Sequence, residues 1–297
     1  MRTNTGWRLS GLLGGSTARS ADGRQGPSRS WLMAALLGIV AALLATILPA
    51  ASASASQKPP KPTIVLVHGA WADGSSWDKV TRQLQSDGYV VRVPPNPLRS
   101  LSGDSATIAS FLASLSGPIV LVGHSYGGAV ITNAGTGNGS IRALVYVDAF
   151  APDEGELVFP LVGADSVLNR PPDTIFDAVL PFPGAPFAEA DLYIKHEVFV
   201  TSFASGVPLR DANVLYAAQR PIRFGAGIEP SGVPAWKSIP SWYVLGTEDQ
   251  IITPSAQEFM ATRAAATITR VKAGHLGLIS RASAVTSVIE QAARSTQ

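Results

Sequence analysis

The 297-residue sequence contains no cysteine, and only 15% of its residues are charged. Without cysteine the chain forms no disulfide bond, no zinc-thiolate site and no thiol nucleophile. The high sequence pI of 9.0 comes from residues 1–55, which hold five arginines and one aspartate and so carry +4. Because the whole chain carries +2, residues 56–297 carry −2. This charge does not support a basic surface for nucleic-acid binding.

The first 55 residues follow the order of a secretory signal peptide. A polar, arginine-containing start precedes an apolar run over residues 31–48 and then small residues with two Ala-x-Ala sites. We expect cleavage after Ala55, which gives a secreted protein with no stable membrane association. The alternative is an uncleaved anchor, because about 20 apolar residues span a bilayer. Residues 56–62 are rich in proline and predict an extended linker.

Residues 63–297 are predicted to form one domain in which apolar strands alternate with amphipathic helices. The predicted strands lie at residues 63–67, 89–93, 119–122, 143–147, 242–245 and 267–271. The first predicted helix begins at Ser75 or Ser76 and ends at Leu84. The other predicted helices lie at residues 104–115, 127–134, 255–265 and 282–293. Apolar strands that alternate with helices indicate an α/β fold with a doubly wound, mostly parallel sheet of about six strands.

Residues 151–238 interrupt this alternation with a segment rich in proline, glycine and aromatic residues. Helices are predicted there around residues 188–202 and 210–219, so the segment is interpreted as a helical lid insertion over the strand ends, where open sheets bind ligands. Its aromatic side chains form either the core of the lid or an apolar substrate pocket. These residues are Phe182, Phe187, Tyr193, Phe199, Phe203 and Trp236.

The segment GHSYGG, residues 123–128, lies between a predicted strand and a predicted helix. Its G-x-S-x-G pattern in this position is typical of a nucleophile elbow, a sharp turn that presents a serine above the sheet. Ser125 is therefore the predicted nucleophile, although a purely structural turn would carry the same glycines. The amides at the start of the following helix favour negative charge beside it.

A serine nucleophile needs a base and an acid that orients the base. His275 lies on a glycine-flanked loop after the last strand and is the predicted base, whereas His68 and His124 are interpreted as structural and His196 as a lid residue. Asp249 follows the preceding strand and is the predicted acid. Glu248 and Asp148 are the alternatives, because both lie near the same edge of the sheet.

The oxyanion of an acyl-transfer reaction needs two amide donors. The amide of Tyr126, directly after the nucleophile, and that of Ala70, in the loop after the first strand, occupy the expected places. Gly69, Trp71 and Leu276 adjoin these residues and are predicted to line the substrate pocket.

The segments VLVHGAWADGSSW, GHSYGG, YVLGTEDQIITP and AGHLGL together resemble the α/β-hydrolase superfamily, in particular its small esterases and hydroxynitrile lyases and their bacterial relatives. The resemblance implies a Ser125, Asp249 and His275 triad and no cofactor or metal. In the lyases a threonine follows the strand-ending histidine and a lysine follows the catalytic histidine. Gly69 and Leu276 stand at these places here, which favours ester hydrolysis over cyanohydrin cleavage.

The sequence thus predicts a serine carboxylesterase that acts on small to medium apolar esters through an acyl-enzyme on Ser125. Perhydrolase, haloperoxidase-like or lactonase activity is an alternative with the same residues. A non-catalytic small-molecule binding protein on a hydrolase scaffold is an alternative of another class.

Overall fold

A computed structural model describes residues 60–296 of the chain. The predicted signal peptide, including the apolar run over residues 31–48 and the cleavage site after Ala55, lies outside the described residues, and so does most of the linker. Within residues 60–296 no helix has both the length and the apolar character needed to cross a bilayer.

The central feature is a six-stranded sheet in which all neighbouring strands are parallel. Its order is β2-β1-β3-β4-β8-β9. The strands of the described chain are β1 (Thr63–Val67), β2 (Val91–Arg92), β3 (Ile119–His124), β4 (Ile141–Val147), β5 (Phe176–Val179), β6 (Asp191–Ile194), β7 (Ile222–Arg223), β8 (Ser241–Gly246) and β9 (Thr267–Val271). β3 and β8 are buried along their whole length, as expected for strands covered on both faces. The predicted fold class is confirmed.

Helices flank this sheet and connect its strands. The longer ones are α1 (Asp78–Ser86), α2 (Leu101–Ala113), α3 (Tyr126–Ala134), α4 (Leu209–Ala217), α5 (Pro254–Arg263) and α6 (Ala282–Arg294). α1 packs against α6, and α2 packs against α3. Short helical segments lie at Gly74–Trp77, Phe159–Val162, Val167–Asn169, Pro172–Ile175, Phe187–Glu189, His196–Val198, Phe199–Phe203, Phe224–Gly227, Ala235–Lys237 and Gly277–Ser280.

Capping side chains move two helix starts away from their predicted positions. Asp73, rather than Ser75 or Ser76, caps the turn before α1 by accepting a hydrogen bond from the Ser75 amide at 2.8 Å. α2 begins at Leu101, because the Ser100 hydroxyl accepts from the Gly103 amide and caps it.

The insertion, residues 151–238, is not purely helical as predicted. It contains a three-stranded antiparallel sheet in the order β5-β6-β7 together with α4. The predicted helix over residues 188–202 is replaced by β6, one turn of helix and a π-helical turn at Phe199–Phe203. Burial alternates along β6, with Leu192 and Ile194 inside, and this period of two favours a strand.

Candidate active site

The candidate site lies at the carboxyl edge of the six-stranded sheet, between β1 and β3. The chain passes from β1 to β2 on one side and then to β3 on the other, so this is the switch point at which open α/β sheets bind ligands. Ser125 follows β3, Asp249 follows β8 and His275 follows β9. The parallel direction of the strands brings these distant segments to one edge.

Ser125 occupies a sharp turn between β3 and α3. Its backbone has φ 53° and ψ −125°, a conformation that is strained for a residue other than glycine. The flanking glycines permit the turn because a Cβ on Gly123 would lie 2.5 Å from the Gly127 carbonyl oxygen, and one on Gly127 would lie 2.5 Å from that of Val67. The chain therefore adopts the strand–turn–helix geometry of a nucleophile elbow.

A continuous hydrogen-bonded chain joins Ser125, His275 and Asp249. The Ser125 hydroxyl is 2.9 Å from His275 Nε2, and His275 Nδ1 is 2.8 Å from Asp249 Oδ2. The carboxylate accepts from Nδ1–H, which leaves the lone pair of Nε2 for the hydroxyl proton. All three residues are buried, with 2%, 0% and 3% of their surfaces exposed, respectively.

Asp249 is fixed by three further contacts. Its Oδ1 accepts from the amides of Ile251 at 2.7 Å and Ile252 at 3.1 Å, and its Oδ2 accepts from Gln257 Nε2 at 2.8 Å. Gln257 is fully buried in α5. No pattern in the sequence marks Gln257, because its role depends on α5 packing beneath the turn after β8.

The two alternative acids occupy other positions. Glu248 is exposed and lies 3.6 Å from the Lys272 ammonium group. Asp148 is buried after β4, where its Oδ2 accepts from the Gly277 amide at 3.2 Å. Burial and the neighbouring Asp249 raise the pKa of Asp148 well above its usual 3.8. The structure therefore brings Asp249 to His275 and places Asp148 beneath the loop that follows His275.

His124, next to Ser125 in sequence, supports the loop of His275. Its Nε2–H donates to the His275 carbonyl oxygen at 2.9 Å, and the two rings lie 4.9 Å apart. Burial, followed by the nearby His275, lowers the pKa of His124 well below its usual 6.5. His124 is thus a neutral side chain that holds the backbone of His275.

His68 holds the loop after β1. Its Nε2 accepts from the Asn96 amide at 3.1 Å, so Nδ1–H donates to the Gly69 carbonyl at 3.0 Å. Asn96 also donates from its side chain to the His68 carbonyl at 3.0 Å. No motif in the sequence marks Asn96, although its place in the run Pro94-Pro95-Asn96-Pro97 indicates a fixed loop.

The residues expected to surround the oxyanion lie on both sides of Ser125. A Cβ on Gly69 would lie 2.6 Å from the Ser125 Cβ, so the backbone leading to Ala70 passes directly beside Ser125. Tyr126 is the first residue of α3, where an amide has no intrahelical acceptor. The Tyr126 ring points away into the protein, and its hydroxyl donates to Asp104 Oδ2 at 2.9 Å.

The residues predicted to line the substrate pocket lie close to Ser125 or His275. Trp71 and Ala70 line a cavity of about 10 Å³ beside Ser125, and Leu276 lines a neighbouring cavity of about 20 Å³ together with Trp71 and Phe203. The Phe203 ring lies 5.2 Å from the His275 ring. Phe199 is also buried, whereas Phe182 is 55% exposed.

Trp236 and His196, two further predicted residues of the insertion, make other contacts. Trp236 packs beneath the Arg263 guanidinium and donates to the Pro152 carbonyl at 3.0 Å. His196 is exposed and lies 2.8 Å from the side-chain oxygen of Asn213. Within residues 60–296 no cluster of three or more histidine or acidic side chains has an arrangement suited to a metal ion.

The chain matches the family described as "Alpha/beta hydrolase family" over residues 64–288. It is 35% identical over 111 residues to a carbendazim hydrolyzing esterase from Nocardioides sp. (strain SG-4G), a match that covers 33% of this chain and 46% of that protein. It is 27% identical over 259 residues to the alpha/beta hydrolase nvfD of Aspergillus novofumigatus (strain IBT 16806), covering 78% of this chain and 97% of that one.

Solved structures share the fold. Polyneuridine aldehyde esterase superimposes with a TM-score of 0.66 at 20% sequence identity, covering 78% of this chain and 99% of that structure. At this identity the similarity establishes the fold of the chain.

Proposed function

Because the chain belongs to the alpha/beta hydrolase family, we propose that it is a serine ester hydrolase that cleaves apolar carboxylic esters through an acyl-enzyme on Ser125. The observation that carries this proposal is the hydrogen-bonded chain from Ser125 Oγ to His275 Nε2 and from His275 Nδ1 to Asp249. The similarity to a carbendazim hydrolyzing esterase supports it.

In the acylation step, His275 Nε2 accepts the hydroxyl proton while Ser125 Oγ attacks the ester carbonyl carbon. Asp249 holds the imidazole in the required tautomer and stabilises the imidazolium. The amides of Ala70 and Tyr126 donate to the oxyanion of the tetrahedral intermediate. As that intermediate collapses, His275 gives the proton to the departing alcohol, and the acyl group stays on Ser125.

In the deacylation step, water replaces the alcohol. His275 accepts a proton from the water as its oxygen attacks the acyl carbon, and it returns that proton to Ser125 Oγ when the acid leaves. The two proposed steps require no cofactor and no redox partner.

The first test measures hydrolysis of 4-nitrophenyl acetate by wild type and by Ser125→Ala. We expect Ser125→Ala to lower kcat by a factor on the order of 10⁴ or more with an unchanged circular dichroism spectrum. A fluorophosphonate should add covalently to Ser125 in the wild type, as seen by mass spectrometry. A wild type that binds ligands but neither turns over esters nor takes up the probe would be a binding protein instead.

Asp249→Asn and Asp148→Asn form a matched pair for the acid. Asp249→Asn should lower kcat by about 10⁴-fold, because the amide favours the wrong imidazole tautomer. Asp148→Asn should retain most of kcat, since Asp148 contacts the Gly277 amide rather than the imidazole. Equal losses in the two variants would contradict the assignment of Asp249. Lactone and peracid assays on the same proteins separate the alternatives that use this triad.

A further inference from the structure

Ser125 lies in a space too small for any ester. The cavity beside it measures about 10 Å³, close to the minimum of about 10–15 Å³ that holds one water molecule. Ser125 itself is 2% exposed. An ester therefore reaches the hydroxyl only after side chains around this inner cavity move.

A much larger cavity lies in the insertion. It measures about 720 Å³, which is within the range of about 300–1,000 Å³ typical of small-molecule sites. Four phenylalanine rings line it: Phe159, Phe176, Phe187 and Phe224. The Phe224 ring lies 5.8 Å from that of Phe159 and 5.1 Å from that of Phe187, so these three rings form one aromatic wall.

The inner and outer cavities share two wall residues, Phe159 and Leu168. We call this pair the partition. Both side chains are apolar and partly buried, so a change of rotamer moves them without breaking a side-chain hydrogen bond. Both belong to short 3₁₀ segments, Phe159–Val162 and Val167–Asn169, rather than to the sheet.

The charged lining of the outer cavity comprises Asp173, Asp177 and Lys195. Lys195 forms an ion pair with Asp177, so Asp173 leaves this lining with one net negative charge. A cavity with an aromatic wall and this charge disfavours an anionic ligand.

We propose that the outer cavity is the subsite for the large half of the ester, a neutral aromatic or long alkyl group, and that the partition must move aside for the ester carbonyl to reach Ser125. This inference rests on the proposed function and adds the substrate class to it. Phe159 and Leu168 are specificity-determining residues in this scheme, and Phe187 contacts only the distal part of the substrate.

The test compares kcat/KM for ethyl 4-phenylbutanoate and for ethyl acetate in three phenylalanine-to-alanine variants. Phe187→Ala removes part of the outer wall alone, Phe159→Ala removes part of the partition, and Phe182→Ala removes an exposed ring that lines neither cavity. We expect the preference for the phenyl ester to fall on the order of 10-fold in Phe187→Ala. In Phe159→Ala the preference should fall further, because ethyl acetate has no large group whose binding in the outer cavity offsets the cost of moving the partition, and it therefore gains more than the phenyl ester when the partition is removed. Phe182→Ala should match the wild type.

A matched anionic substrate tests the charge of the outer cavity. The monoethyl ester of a dicarboxylic acid of the same length should react at least about 10-fold more slowly than the neutral phenyl ester, because its free carboxylate enters a cavity with a net negative charge. Equal rates would contradict the assigned substrate class.

A binding measurement tests the subsite independently of ester hydrolysis. The unreactive ketone 4-phenyl-2-butanone is titrated calorimetrically into Ser125→Ala and into the same variant carrying Phe187→Ala or Phe182→Ala. Weaker binding with Phe187→Ala alone supports the subsite even if no ester is hydrolysed, which would overturn only the proposed function. Ketone binding that is insensitive to Phe187, together with ester hydrolysis that is insensitive to both Phe187 and Phe159, would overturn the subsite.

Discussion

Three residues at the site have backbone conformations that are strained for side chains with a Cβ. They are Trp71, Ser125 and Asp148, with φ of 56°, 53° and 45°, and they are among five such residues in the described part of the chain. Each lies in the segment after a neighbouring strand, β1, β3 or β4. Strain of this kind persists only where surrounding contacts hold it. At Trp71 those contacts are two hydrogen bonds to the insertion. The Trp71 amide donates to the Arg220 carbonyl, and the indole N–H donates to the Leu192 carbonyl.

The buried histidines predict how stability depends on pH. The pKa of His124 is lowered by burial and by His275, and that of His68 is lowered mainly by burial, so both are neutral in the folded protein. The unfolded chain binds a proton at each of these residues below pH 6.5. Stability from these groups is therefore complete above pH 6.5 and is lost as pH falls below it, by up to about 1.4 kcal/mol per pH unit for each group.

The measurement is urea denaturation at pH 7.5, 6.5 and 5.5. We expect the free energy of unfolding to fall less steeply toward pH 5.5 in His124→Gln than in the wild type, because one protonation site of the unfolded chain has been removed. The matched control is His196→Gln, since His196 is exposed; it should reproduce the wild-type slope. A His124→Gln slope equal to that of the wild type would contradict a neutral buried His124.

At the scale of elements, α2 and α3 are joined by a buried carboxylate beneath the site. Asp104 in α2 accepts from the Tyr126 hydroxyl at 2.9 Å and from the Arg99 amide at 3.1 Å. Burial is the larger effect and raises the pKa of Asp104. These hydrogen bonds act in the opposite direction, because they favour the charged form of the carboxylate. The contact fixes the start of α3, where the Tyr126 amide lies next to Ser125.

Tyr126→Phe separates the ring of this residue from its amide. Removing the hydroxyl takes away one of the two donors to Asp104 Oδ2, the other being the Arg99 amide at 3.1 Å, so the free energy of unfolding should fall by about 1–3 kcal/mol. The rate kcat for 4-nitrophenyl acetate should stay within about twofold, because a phenylalanine keeps the amide that we propose as an oxyanion donor. Tyr216→Phe is the control, since no hydrogen bond to its hydroxyl is found among the described residues. A loss of kcat at unchanged stability would give the ring a catalytic role.

The sequence predicted the elements of the main sheet better than those of the insertion. β1 and β9 have their predicted bounds because each is a run rich in β-branched residues between turn-forming neighbours. In the insertion, β5, β6 and β7 are two to four residues long, too short for a repeating pattern to be recognised. The G-x-S-x-G motif located Ser125, whereas Gln257 and Asp104 act through contacts between elements that no local pattern specifies.

At the scale of the whole molecule, the net charge has opposite signs on the two sides of the predicted cleavage site. Residues 1–55 carry +4 and residues 56–297 carry −2. A positively charged start before an apolar run is the arrangement that export machinery recognises. We propose that residues 1–55 direct export and are then removed.

The prediction is that protein recovered from the medium of an exporting bacterial host begins at Ser56. Intact-mass spectrometry and amino-terminal sequencing check this. Replacing Ala53 and Ala55 together by a bulky residue such as leucine should keep the protein cell-associated. Full-length protein in the membrane fraction of the wild type would instead indicate an anchor formed by residues 31–48.

Ser125 and His275, the proposed nucleophile and its proposed base, stand 150 residues apart in the chain. When α3 has just been synthesised, Ser125 has no imidazole beside it. His275 reaches Ser125 only after β8 and β9 have joined the sheet. The proposed esterase activity would therefore appear only when the last strands of the sheet have formed, and not when the amino-terminal half of the chain becomes compact. A chain truncated before β9 should bury much of its apolar surface yet remain inert, and during refolding hydrolysis should lag behind the recovery of secondary structure.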